Sequence, residues 1–119
     1  MAETKFYDSP AYIGYANEQP DDKRIPKWEE QFNKQGFDDS CTWSLDYTII
    51  KFITPRLKRF LEIHKEMSPE DDFNWELQHM LDGFELYLST SFNEFNEEHK
   101  KKVDNSFYIL SKCYRGLWW

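Results

Sequence analysis

Glu76-Leu-Gln-His79 sets a carboxylate and an imidazole three residues apart. On a helix that spacing puts both on one face, the arrangement carboxylate-bridged metal bundles use. Such a centre needs a second Glu-x-x-His and two further acids, and the chain carries no second copy. His64, His79 and His99 would have to converge from three helices to hold zinc. Each is flanked by charged or polar residues, which suits a surface or hydrogen-bonded core histidine, so no metal ligand set and no cofactor is expected. Asp46, Asp82 and Asp104 each follow an aliphatic residue, and two buried carboxylates can work as an acid and base pair. The commoner fate of such an Asp is a hydrogen bond to Arg56, a Tyr or an indole. No Gly-rich phosphate loop, nucleophile elbow or paired Cys and His motif is present, and the chain is not expected to be an enzyme.

One segment mixes aromatics and cations. Between positions 43 and 60, Trp43, Tyr47, Arg56, Lys58 and Arg59 are the residue types that stack a base and hold its phosphate. They are the candidate ligand-binding set for a nucleotide or another small anion. The simpler reading of the same pattern is one core face and one solvated face of a helix. Charge supports a local anion site: residues 1–40, 41–65 and 66–119 sum to −4, +3 and −6, within a net charge of −7. The overall acidity argues against nonspecific DNA binding, which needs a net basic face.

These residues sit on a helical pattern. Apolar positions 45, 49, 52, 53, 57, 60, 61 and 63 recur at helical spacing, predicting a first main helix from about Asp39-Ser40 to Lys65. Pro55 lacks an amide for the carbonyl of Lys51, so a kink or a break into two helices is expected there. Ser68-Pro-Glu-Asp71 has the form of a helix start, with Asp72 or Asn74 as a later cap, and Trp75, Leu77, Met80, Leu81, Phe84, Tyr87 and Leu88 mark an apolar face. A third helix is predicted from about Asn93 to Arg115, ended by Gly116. The expected fold is all-α: a three-helix bundle over 41–119, its first helix kinked at Pro55, behind an extended N-terminal arm over 1–40. Within the arm, Pro26 and Gly36 bracket a short helix at about 27–35.

The arm is rich in aromatics, too rich for a disordered tail, and is expected to lie on the helices or on another subunit. Its Tyr12, Tyr15 and Trp28, with the terminal Trp118 and Trp119, are the candidate interaction anchors, because exposed aromatics carry much of the energy at interfaces. The terminal pair either packs back on the core or contacts a partner. A helical domain of some eighty residues has a marginal core, so a homo-oligomer is expected. Cys41 and Cys113 are expected as free thiols, without a leading secretory segment and without any apolar run of the about eighteen residues a membrane span requires.

The opening Trp43-x-Leu-Asp-x-Thr-Ile49, continued through Lys51-Phe52 and Pro55-Arg-Leu-Lys58 to Phe60, resembles a family of small uncharacterised proteins encoded by tailed phages. Trp75, Leu81, Asp82, Phe84 and the closing Arg115-Gly-Leu-Trp118 extend the likeness over residues 43–118. The resemblance implies a viral, bacteriophage origin and a helical fold, and carries no mechanism. The expected function is that of an accessory protein in the host cell cytoplasm. It would bind a host or phage protein, with inhibition of a host defence system as one role. Sequestration of a small anion and a structural place in the virion or packaging machinery are the alternatives.

Overall fold

A computed structural model describes residues 4–118, and those residues are all-helical, with four α-helices and no strand. None of the helices is long and apolar enough to cross a membrane among the described residues. Two compact units divide the chain after Ile49.

Residues 4–49 correct the expectation of an extended arm. Three-residue 3-10 turns at Phe6–Asp8 and Ala16–Glu18 lead into α1, Ile25–Gln35, followed by a 3-10 turn at Asp39–Thr42. Pro26 sits in the first turn of α1, where its missing amide costs no helical bond. Gly36 ends the helix in the left-handed region (φ 84°), donating its amide to the Phe32 carbonyl. The unit has its own core: Ala16, Trp28 and Cys41 are buried, and so are the polar Asp38 and Ser40. Aromatic rings close it. Phe6, Tyr12 and Phe32 meet at centroid distances of 5.5–5.9 Å, and Trp43 stacks on Tyr15 at 5.7 Å while meeting Trp28 edge-on at 5.4 Å. Each such ring buries roughly 150–250 Å², which lets so short a segment fold without a long apolar helix.

The first main helix, α2, runs Leu45–Met67, starting later than expected because the Asp39–Thr42 turn precedes it. Pro55 lies inside it without dividing it, so the expected alternative of two separate helices is corrected. Side chains donate to nearby carbonyls around the proline: Thr54 Oγ1 to Ile50 O at 2.6 Å and an Arg56 Nη1 to Phe52 O at 2.8 Å.

In residues 50–118, Ile50, Leu57 and Leu61 of α2 join Leu77, Met80, Leu81 and Phe84 of α3 (Phe73–Ser89) and Val103 of α4 (Glu97–Cys113) in one core. α3 starts five residues after Ser68. Asp71 caps the amide of Phe73 at 2.9 Å, and Asn74 ties the turn by bonding Ser68 O and the His64 ring. α4 also starts later than Asn93. Asn96 accepts from the His99 amide and donates its own amide to His99 Nδ1, a reciprocal cap. α3 and α4 run antiparallel and come closest at Gly83, where an added Cβ would meet Lys102 O at 2.7 Å and the Ser106 side chain. After Cys113 a 3-10 turn, Tyr114–Gly116, turns the chain so that Leu117 reaches the core.

Candidate interaction surface

In the first unit the candidate residues belong to the packing. Trp28 is 1% exposed, and Tyr12 and Tyr15 are half-buried, which corrects their assignment as exposed anchors. Tyr12 is held by Asp38, which is buried and has no cation partner among the described residues. Its carboxylate accepts from the Tyr12 hydroxyl at 2.6 Å, from the Ser40 amide at 2.8 Å and from the Ser40 hydroxyl. Ser40 Oγ in turn accepts from the Tyr15 amide at 2.9 Å. A buried carboxylate must be hydrogen-bonded to be tolerated, and here three donors converge on it. Trp43 is also engaged: Arg24 lies over both the Trp28 and the Trp43 ring, and its guanidinium is clamped by Asp22, whose carboxyl is held at about 2 by those bonds. Tyr47 is half-buried.

Burial, and then the bond to Asp38, push the Tyr12 phenol above its ordinary range. The folded state therefore holds a proton that the unfolded chain releases above pH ~10. The Tyr12 contribution to the stability of this unit is expected to be constant below that pH and to fall as pH rises through and beyond it. A Tyr12→Phe chain should lose less stability between pH 8 and pH 11 than the native chain, with a remainder from the buried Cys41 thiol, and urea titration at the two pH values checks this.

In the second unit, Arg56 lies over the Phe52 ring at 3.9 Å, and Arg59 pairs with Glu62 of its own helix at 3.0 Å. Arg56 and Arg59 thus find aromatic, backbone and same-helix partners on α2. Arg56, Lys58 and Arg59 are exposed on α2, whereas Trp43 and Tyr47 belong to the first unit. The three histidines have separate roles: His64 bonds Asn74 and lies 3.5 Å from Asp71, His79 packs on Trp75, and His99 caps α4. No group of three His, Cys, Asp or Glu positioned for a metal occurs among the described residues. Asp46, Asp82 and Asp104 are exposed, not buried as an acid and base pair would require. Both cysteines are free, and burial raises both thiols.

The C-terminal turn separates two adjacent apolar residues. Leu117 packs against the core, and Trp118 is 76% exposed beside the exposed Tyr114 and Arg115. Trp119 lies outside the described residues.

Between α3 and α4 the surface forms a continuous shallow groove. Its two parts, about 290 and about 330 Å³, share His79 and Asn105. Asp82 and Lys102 flank one part, and Trp75, Glu76, Tyr108 and Lys112 the other. Trp75 is 67% exposed, correcting its place on the apolar face of α3. The signal was in the spacing: stepping about 100° per residue puts Trp75 roughly opposite Phe84. Phe92, 93% exposed in the turn between α3 and α4, was not marked by any pattern. The chain matches no family model, no curated protein and no solved structure.

Proposed function

We propose that this chain is a phage-encoded accessory protein that works in the host cytoplasm by binding a host or phage protein, with a host defence system as the target it blocks. The observation that carries the interaction reading is the C-terminal turn, which places Trp118 in solvent although Leu117 beside it reaches the core. An exposed indole on a short, packed turn loses little entropy on binding and fills a pocket well. The exposed Tyr114 and Arg115 of the same turn favour a partner surface with acidic groups next to an apolar pocket. The phage origin rests on the sequence resemblance, and the defence target on that origin. In this proposal the helices form a three-helix bundle with α2 kinked at Pro55.

Trp118→Ala is expected to abolish capture of the partner from host lysate while leaving the helical circular dichroism unchanged. Capture undiminished by that substitution would sink the reading. Sequestration of a small anion is the second reading, favoured by the exposed Arg56 lying over the exposed Phe52 ring, a cation and an aromatic side by side. Bound nucleotide lost from an Arg56→Ala, Arg59→Ala chain that stays folded would support it.

A further inference from the structure

The groove between α3 and α4 has an order to its charges. On α3, Glu76 stands at the level of Lys112 on α4, and Asp82 at the level of Lys102, because the two helices run antiparallel and each pair borders the same part of the groove. One wall is acidic and the other basic. Among the described residues no ion pair joins the two walls. Lys112 instead lies 5.3 Å from the Tyr108 ring, and Asp82 accepts from Gln78 of its own helix.

We infer that this face binds a second copy of the chain, through a two-fold axis parallel to the helices. Such an axis sets α3 of one copy on α4 of the other without shifting either along its length. Glu76 then opposes the second copy's Lys112, and Asp82 its Lys102, and the same two pairs recur by symmetry. A self-complementary patch of this kind is what a two-fold interface requires. Trp75 falls at the level of Lys112 and Tyr108 of the other copy, where its exposed indole meets a cation and a ring.

Charge selects this occupant over a general partner. The chain carries −7, so two copies repel over most of their surfaces. Across this face two acids and two bases cancel, and turning one copy over the other puts unlike charges together at both pairs. The inference does not rest on the partner reading above, which uses the C-terminal turn.

The test is a charge swap read by light scattering on a sizing column. The wild-type chain is expected at twice the 14.5 kDa of one copy. Lys102→Glu with Lys112→Glu makes the face wholly acidic, and Glu76→Lys with Asp82→Lys makes it wholly basic. Each double variant alone should run at the mass of one copy, and an equal mixture of the two should regain the doubled mass. Circular dichroism of each variant establishes that it is folded. A wild-type chain at the mass of one copy overturns the inference and leaves the face to an unlike protein. Doubled mass kept by either variant alone also overturns it, since the copies then associate elsewhere. A mixture that stays at single mass overturns the pairing of α3 with α4.

Discussion

Replacing Gly83 by alanine is expected to destabilise residues 50–118 by about 1–3 kcal/mol, the usual penalty for forcing a methyl group into a filled contact. At an exposed helical position the same change would stabilise by up to about 1 kcal/mol, because glycine is a poor helix former. The sign reverses here because the new Cβ meets the Ser106 side chain and, at 2.7 Å, the Lys102 carbonyl. A side chain can rotate away; the backbone oxygen of α4 moves only if the helix does. Adding Ser106→Ala should therefore recover part of the loss and not all of it. Urea unfolding followed by circular dichroism at 222 nm checks this. Unchanged or raised stability in the single variant would mean that α3 and α4 do not approach as closely as described.

Asp38→Ala is expected to cost the first unit about 3 kcal/mol or more. Hydrogen bonds to a charged group contribute roughly 1.5–3 kcal/mol each, and this carboxylate accepts three. The donors left behind stay buried: Ser40 is fully enclosed, and the Tyr12 hydroxyl keeps Ser40 and the Ala16 amide as weaker partners. Asp38→Asn should fall between the two chains, since its amide nitrogen cannot accept what one carboxylate oxygen did. Fluorescence-monitored unfolding in urea separates the three. Equal stability of Asp38→Ala and the native chain would show that the network is not what holds residues 4–49 together.

The helices were legible where the signal is local. Gly36 after an eleven-residue helix begun around Pro26 predicts its own left-handed stop, and the spacing of Leu57, Leu61, Leu77 and Phe84 marks their core faces. Helix starts were displaced where the cap departs from the common pattern: Asn96 pairs with a histidine instead of a glutamate, and Asp71 acts two residues before Phe73. The first unit was not legible. Asp38 and Tyr12 are 26 residues apart, and nothing in either neighbourhood says that a carboxylate without a cation will be buried on a phenol. An arm dense in aromatics and prolines looks the same whether its rings cover another surface or one another. The candidate surface was half legible: Trp118 was marked by its type, whereas Phe92 stands in a polar turn with no periodicity to place it.

The burial of the tryptophans makes the two units optically distinct. Trp28 is sealed inside residues 4–49, while Trp75 and Trp118 are largely in water on residues 50–118. A sealed indole emits toward the blue, and a hydrated one emits near the wavelength of the free amino acid whether or not its helix is folded. The blue edge of the emission spectrum therefore follows the melting of the first unit, and the loss of helical ellipticity chiefly that of the second. The chain carries its own pair of reporters, one for each compact unit.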